Sequence, residues 1–145
     1  VERILARTGA SPNRLMLELT ESVVLADLDN AMQKMRALKQ LGVAFSMDDF
    51  GTGYSSLAYL SRLPLDELKI DRSFVARLPG SKNDEVIARM VISMGRNLGL
   101  SVLAEGVETD GQMDALRRYG CHAYQGFLIA RPSPIEEFLL LIQKK

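Results

Sequence analysis

The sequence lacks the residues and runs on which several classes of protein depend. Its one cysteine, Cys121, cannot form a disulfide within the chain, which is typical of proteins in a reducing cytosol. Its one histidine, His122, excludes a zinc site built from several histidines. No apolar run approaches the roughly 20 residues that span a bilayer. We therefore expect a cytoplasmic location and no membrane contact from this segment, unless a longer parent protein tethers it to a membrane.

The chain also has no excess of charge of either sign. Its 145 residues include 18 basic and 18 acidic side chains, so the formal net charge is zero. This balance argues against a nucleic acid polymer or an anionic membrane as a partner, because neither would be attracted over a distance. A small phosphate ligand held by metal ions is compatible with it. The 47% of hydrophobic residues is enough for a packed globular core.

The spacing of apolar residues switches regularly between a period of 2 and a period of 3.6, which indicates alternating strands and helices. The predicted strands are 14–21, 43–49, 65–71, 99–106 and 121–129. The predicted helices are 28–41, 54–60, one that ends near 98, 112–118, and one after Pro134 in which "FLLLI" is the expected buried face. Ser81, Asn83 or Asp84 is expected to cap the helix that ends near residue 98.

Strands that are each followed by a helix favour an α/β protein with a parallel sheet. Such a sheet either stays open and doubly wound or closes into a (β/α)8 barrel of the TIM type. A complete barrel needs roughly 250 residues, so the 145 residues would supply only part of one. The opening "VERILART" has apolar Val1, Ile4 and Leu5 at helical spacing, with no cap before them. We therefore expect residues 1–145 to form a single partial domain that begins inside a helix.

Polar side chains stand at the end of every predicted strand. In parallel α/β folds the carboxyl ends of the strands converge on one face, where ligands bind. Strand alternation places Glu18 on one face of its strand, and it places Lys69 and Asp71 together on one face of theirs. The candidate site residues at these ends are Glu18, Glu21, Asp48, Asp49, Lys69, Asp71, Glu105, Glu108 and Gln125.

Several carboxylates directed at one site repel one another and resist ionisation. Divalent cations resolve this conflict, and a site rich in oxygen ligands suits magnesium, manganese or calcium. Two such cations a few ångströms apart can clamp the attacking and leaving oxygens of a phosphodiester. A lysine among them can orient a water, or deprotonate it when nearby metals depress the lysine pKa. The residues alone therefore predict metal-assisted chemistry on an anionic substrate.

Two simpler interpretations apply to the same residues. Asp48 and Asp49 could cap the turn that follows them, since Asp and Gly are common in turns. Lys69 could pair with Asp71 in an ordinary salt bridge. The adjacent aspartates, together with acidic residues at other strand ends, favour the metal site over both.

Five segments resemble, in order and spacing, the later motifs of a known family. They are "LELTES", "DDFGTGYSSL", "LKIDRSFV", "AEGVET" and "QGFLIARP". The family is the EAL domain, the bacterial cyclic di-GMP phosphodiesterases built on a (β/α)8 barrel. The resemblance covers nearly the whole chain and implies that it carries about the last five βα units of that barrel. It also implies hydrolysis of one phosphodiester bond of cyclic di-GMP to linear pGpG, supported by two Mg²⁺ or Mn²⁺ ions per complete site and inhibited by calcium.

The resemblance implies metal ligands among the candidate residues. Glu18 and Asp48 would bind the first metal, and Asp48 would bridge to the second. Asp49 would bind the second metal. Asp71 and the catalytic residue Glu105 would lie close to the second metal or hold its waters.

The resemblance implies further roles for the other candidates. Lys69 would be the general base or the group that positions a water. Glu21 would hold the loop of the "DDFGTG" segment, and Glu108 and Gln125 would lie near the substrate at the edge of the site. Members of the family often dimerise around the "DDFGTG" loop, so a homodimer fits the resemblance. A longer parent with GGDEF or sensor domains fits it too.

The chain departs from the family pattern in one respect. The name-giving Glu-Ala-Leu segment, and an asparagine that also binds the first metal, belong to earlier strands and are not among these 145 residues. The first metal would therefore lack two protein ligands and the barrel would lack three strands. We expect the chain alone to be inactive. We also expect its two open sheet edges to be covered by self-association, strand swapping or a companion segment.

Two rival functions are open at this point. A degenerate EAL domain would bind cyclic di-GMP as a receptor without cutting it. The catalytic-type positions in this chain are all filled, which favours the enzyme. From the residue chemistry alone, a barrel that abstracts protons next to a carboxylate, with a lysine base and magnesium, also fits. Product analysis with cyclic di-GMP would separate these functions.

Overall fold

A single sheet of five parallel strands forms the centre of the structure, a computed structural model that describes residues 1–51 and 57–143. Each strand pairs with the next one along the chain, and every pairing is parallel. The predicted α/β fold with a parallel sheet is confirmed. The strands are Met16–Thr20 (β1), Ala44–Phe50 (β2), Glu67–Ile70 (β3), Ser101–Glu105 (β4) and Ala123–Gln125 (β5).

Helices separate the strands along the chain. A short 3-10 helix, Pro12–Arg14, leads into β1. Of the three caps predicted for the long central helix, Ser81 is the one observed, since its hydroxyl accepts a hydrogen bond from the backbone N–H of Asp84. Among the described residues the α-helices are Glu2–Thr8 (α1), Glu21–Ala26 (α2), Leu28–Gln40 (α3), Leu57–Leu60 (α4), Arg72–Val75 (α5), Lys82–Asn97 (α6), Asp110–Tyr119 (α7) and Ile135–Gln143 (α8).

Two of these helices, α2 and α5, are absent from the sequence prediction. They contain 6 and 4 residues, which is too short for a helical period to show in the sequence. As a result, Glu21 begins α2 and does not end β1. The helix predicted over residues 54–60 is present as α4 from Leu57, and its first three predicted residues lie outside the described part of the chain.

The predicted strand 121–129 is wrong beyond Gln125. The backbone turns there, because the N–H groups of Ile129 and Ala130 both donate to the carbonyl of Gly126. The apolar side chains after Gly126 therefore belong to a turn, although their hydrophobicity is typical of a strand.

The two faces of the sheet differ in chemistry. One face packs against the helices, above all α6, and carries the apolar residues of the strands. Burial of a large apolar side chain stabilises the fold by roughly 1.5–3 kcal/mol. The alternate residues face the other side, which is the interior in a closed barrel. On the helix-covered face, the residues at most 2% exposed include Phe45, Met47, Phe50, Leu68, Ile70 and Ala104.

The last helix, α8, does not bury the apolar run that was expected to face the core. Phe138, Leu139 and Leu140 are 48%, 44% and 60% exposed. None of the described elements covers them, so the prediction that "FLLLI" is a buried face is wrong for these three residues. In the described part of the chain, no helix combines the length and the apolar character needed to cross a membrane.

Two glycines inside helices make a matched test of how closely α6 lies on the sheet. A Cβ added to Gly95 of α6 would lie 2.3 Å from Cγ2 of Val102 on β4, whereas one added to Gly111 of α7 would meet Pro79 at an ordinary 3.5 Å. We expect Gly95→Ala to destabilise the fold by about 1–3 kcal/mol through overpacking. Gly111→Ala should be neutral or stabilising, because alanine favours a helix. Urea unfolding measures the difference, and equal stabilities would contradict the close contact.

Candidate functional site

Carboxylates from three strands converge on the ammonium of Lys69 near the end of β3. Its Nζ lies 2.6 Å from Oε1 of Glu105 on β4, 3.0 Å from Oε2 of Glu18 on β1 and 3.3 Å from Oδ1 of Asp48 on β2. The Lys69 side chain is only 4% exposed, so these carboxylates and not water provide its charge partners. All four residues face the inner side of the sheet, and the parallel register brings them to one end.

The surroundings of Lys69 decide its protonation. Burial alone lowers the pKa of an ammonium, because it disfavours the charged form. The hydrogen bonds that Lys69 donates to Glu105 and Glu18, with the charges of Glu105 and Asp48, outweigh burial and hold its pKa well above the ordinary value. Lys69 is therefore a protonated donor here. The simple pairing with Asp71 is not among its ion pairs in the described residues.

A bulge at the end of β2 gives its two aspartates different directions. Asp48 and Asp49 together lie opposite the single residue Lys69 of β3, because the register between β2 and β3 shifts there. Asp49 has a positive φ of 55°, a left-handed conformation that Asp tolerates better than most residues. The Oδ1 of Asp48 accepts a hydrogen bond from the Asp49 N–H at 3.0 Å and forms an ion pair with the Lys69 ammonium at 3.3 Å. The Asp48 carboxylate therefore stabilises the turn at Asp49 and also faces the Lys69 ammonium.

Glu21 and Asp71 have hydrogen bonds of their own beside the cluster. Glu21, the first residue of α2, is 6% exposed and accepts a hydrogen bond from the Tyr59 hydroxyl of α4 at 2.5 Å. That contact connects α2 to α4. Residues 52–56, which include the end of the "DDFGTG" segment and precede α4, lie outside the described residues. The Asp71 carboxylate accepts from the Ser73 N–H at 2.9 Å and from the Ser73 hydroxyl, and so caps α5.

Glu108 and Gln125 lie at the same end of the sheet as the cluster. Gln125 is in register with Glu105 across β4 and β5, so the two residues are neighbours on adjacent strands. Glu108 follows β4 with an exposed side chain, and its N–H donates to Oε1 of Gln112 at 2.7 Å at the start of α7. The structure thus brings Gln125 beside the cluster and leaves Glu108 at its rim.

The same carboxylates suit a hard divalent cation. Carboxylate oxygens are the ligands that Mg²⁺ and Mn²⁺ prefer, and here they come from adjacent strand ends. Within residues 1–51 and 57–143, no group of three or more Asp, Glu, His or Cys residues is already arranged to hold a metal ion. The donor chemistry fits a divalent cation, while the carboxylates themselves are gathered around Lys69.

The sequence reasoning missed Glu67, an acidic residue of β3 below this cluster. Its signal was present, because Glu67 precedes Lys69 by two residues and alternation puts both on one face. It was overlooked because the reasoning considered only the strand ends.

A parallel sheet in chain order, with acidic residues and a lysine on its inner face at the carboxyl ends, defines part of a TIM-type barrel with a polar centre. Residues 1–132 match the sequence profile of the EAL domain. The chain belongs to the EAL domain family. It covers only part of that domain.

Relatives of known name are nearly half identical to the chain. It is 47% identical over 139 residues to MucR, a bifunctional diguanylate cyclase/cyclic di-GMP phosphodiesterase of Pseudomonas aeruginosa. The aligned region covers 96% of this chain and 20% of MucR. The solved complex of the MucR phosphodiesterase with cyclic di-GMP matches at a TM-score of 0.90 and 46% identity, over 95% of this chain and 56% of that one. A complex of Klebsiella pneumoniae BlrP1 with manganese and cyclic di-GMP matches at a TM-score of 0.82 and 35% identity, over 88% of this chain and 33% of that one. The chain thus spans about a fifth of the length of MucR.

Replacement of Lys69 by methionine tests how much its ammonium stabilises the metal-free site. Lys69→Met leaves Glu18, Asp48 and Glu105 facing one another without a counter-charge, so we expect a lower free energy of unfolding at neutral pH. Because folding raises the lysine pKa above its ordinary 10.5, this contribution is fully present below pH 10.5 and is lost as the pH rises through the higher folded value. The stability difference from wild type should therefore shrink above pH 10.5.

Urea unfolding of chelator-treated protein across the alkaline range measures this difference. Lys82→Met, at the exposed start of α6, is the matched control and should show no such pH dependence. A Lys69→Met deficit that stayed constant from neutral to strongly alkaline pH would contradict the role given to the ammonium.

Proposed function

We propose that the complete domain that contains this chain hydrolyses one phosphodiester bond of cyclic di-GMP and releases linear pGpG, as part of bacterial signalling in the cytoplasm. The observation that carries the proposal is the convergence of Glu18, Asp48 and Glu105 on Lys69 at the carboxyl end of the sheet. Membership of the EAL family supports it, as does the similarity to MucR, whose name includes cyclic di-GMP phosphodiesterase.

The proposed cofactors are two Mg²⁺ or Mn²⁺ ions per complete site. Glu18 and Asp48 would hold the first ion, and Asp48 and Asp49 the second, with Asp71 and Glu105 close to the second ion or holding its waters. When bound, such ions stabilise the charge that develops on the phosphate and lower the pKa of a nearby water. The match to a complex that contains manganese and cyclic di-GMP supports a divalent cation.

Lys69 is the proposed centre of the chemistry performed by the chain itself. In the reaction, the oxygen of a water forms a bond to phosphorus, one bridging P–O bond breaks, and the ribose hydroxyl leaves with a proton. A protonated Lys69 can donate a hydrogen bond to that water or to a phosphate oxygen, and Glu105, 2.6 Å away, fixes the direction of the ammonium. Lys69 acts as a general base only when bound metals lower its pKa.

The remaining candidates take supporting roles in the proposal. Glu21 holds the segment that follows β2, which its hydrogen bond from Tyr59 supports. Glu108 and Gln125 contact the substrate at the rim, which the register of Gln125 beside Glu105 supports. A homodimer, and GGDEF or sensor domains in a longer parent, complete the proposal. The name of the relative MucR combines cyclase and phosphodiesterase activities.

Two substitutions in the complete domain test the mechanism. Lys69→Ala removes the cation that the carboxylates of the cluster contact in the described part of the chain, and Asp48→Asn removes a charge that faces both Lys69 and the proposed metals. We expect each to lower kcat for cyclic di-GMP by several orders of magnitude in the presence of Mn²⁺, and we expect a chelator to abolish activity. Chromatographic quantification of pGpG measures this.

Lys82→Ala on the exposed start of α6 is the control and should keep the wild-type rate. Near-normal turnover of either site variant would remove that residue from the mechanism. A complete domain that binds cyclic di-GMP and leaves it intact would be a receptor, and one that isomerises an acid instead would overturn the phosphodiesterase proposal.

The isolated chain of 145 residues should be inactive under the same conditions. The proposed first metal needs ligands that these residues do not contain. The test is to incubate the isolated chain with Mn²⁺ and cyclic di-GMP beside the complete domain at equal concentration. Release of pGpG by the chain alone would show that the upstream ligands are dispensable.

A further inference from the structure

A second polar layer crosses three strands directly below the Lys69 cluster. Oε1 of Glu67 on β3 accepts a hydrogen bond from the Ser46 hydroxyl on β2 at 3.0 Å. Oε2 of the same carboxylate lies 3.2 Å from the Ser101 hydroxyl on β4, which shares its single proton between this oxygen and the backbone carbonyl of Asp66 at 3.1 Å. Ser46, Glu67 and Ser101 are in register, so one carboxylate spans two strand pairings.

Stability alone does not explain a carboxylate at this place. The interior of a TIM-type barrel is normally filled by layers of branched apolar side chains. Glu67 is half-buried in this structure, and Ser101 is exposed. A carboxylate partly withdrawn from water costs free energy unless it is hydrogen-bonded, and an apolar residue of similar size is often neutral or stabilising. The two serine hydroxyls satisfy Glu67, but they do not make it better than a methionine for holding the barrel together.

The position of the layer suggests what it does instead. Ser46 and Glu67 form the last inward-facing pair before the bulge that shifts the β2 register. Beyond that pair the backbone ladder no longer fixes how Asp48 stands relative to Lys69. The Ser46–Glu67 hydrogen bond clamps β2 to β3 at this point, and the Ser101–Glu67 hydrogen bond extends the clamp to the strand that carries Glu105.

We propose that Glu67 is a positioning residue for the Lys69 cluster. It acts through Ser46 and Ser101, which hold β2 and β4 against β3 so that carboxylates from both strands reach the lysine ammonium. The catalytic consequence rests on the proposed phosphodiesterase function, whereas the effect on the geometry of Lys69 does not.

Two substitutions at Glu67 in the complete domain separate positioning from stability. Glu67→Met should leave the free energy of unfolding unchanged or higher, yet lower kcat for cyclic di-GMP by about tenfold or more with KM within about twofold. Glu67→Gln keeps the shape of the side chain. Its amide offers one acceptor and one donor group to the hydroxyls of Ser46 and Ser101, so its kcat should stay within about threefold of wild type. Glu2→Met on the exposed helix α1 is the control for loss of a carboxylate and should change neither quantity.

An NMR measurement on the metal-free domain tests the same proposal independently of catalysis, because it reports on the surroundings of Lys69. In the metal-free domain, the ¹³Cε resonance of Lys69 should move in Glu67→Met and stay in place in Glu67→Gln. The Lys82 resonance serves as the internal reference. If Glu67→Met fails to fold, Ser101→Ala, which removes one donor to the carboxylate, should show the same shift at smaller size.

The outcomes are distinct for the two proposals. A wild-type domain that leaves cyclic di-GMP intact refutes the phosphodiesterase, while the Lys69 resonance still decides the role of Glu67. Two results would overturn the positioning role of Glu67. One is a Lys69 resonance that stays unchanged in folded Glu67→Met, and the other is a Glu67→Met variant that loses stability but keeps its kcat.

Discussion

The inner end of the sheet depends on one buried cation. An ammonium as little exposed as that of Lys69 is costly to enclose unless charges of opposite sign surround it. The compensating carboxylates of Glu18, Asp48 and Glu105 each come from a different strand, so they meet the lysine only when those strands lie side by side in parallel register. Charge compensation and sheet topology therefore require each other, and the polar centre exists only in the assembled fold.

The same arrangement also bears on the proposed metal chemistry. A cation at this end of the sheet would find Glu18, Asp48 and Glu105 around one ammonium, although within the described residues these side chains are not yet arranged to hold a metal ion. It would compete with the Lys69 ammonium for the same oxygens. In the proposed mechanism, bound metals would replace Lys69 as the charge partner of the carboxylates, and its ammonium would then be free to contact the phosphate.

Much of the fold and the central cluster could be predicted from the sequence because both follow from simple periods. The helix predicted over 28–41 is α3, and the positions of Glu18, Asp48, Lys69 and Glu105 at the ends of predicted strands indicated that they would lie at one end of a parallel sheet. Features without a period were missed: the short helices α2 and α5 and the turn after β5. Glu67 was missed although alternation places it on the same face as Lys69, because it does not stand at the end of its strand. The exposure of α8 was missed for another reason, since an apolar face indicates that something packs on it without saying what.

The bulge in β2 has a consequence for the comparison of related chains. Two aspartates occupy the space opposite one residue of β3, so the regular ladder would need one residue fewer. Deletion of a single codon there would restore an ordinary strand and leave one carboxylate in the inward position opposite Lys69. The additional residue therefore adds the exposed Asp49 without displacing Asp48, and an alignment shifted by one residue at this point would exchange the two.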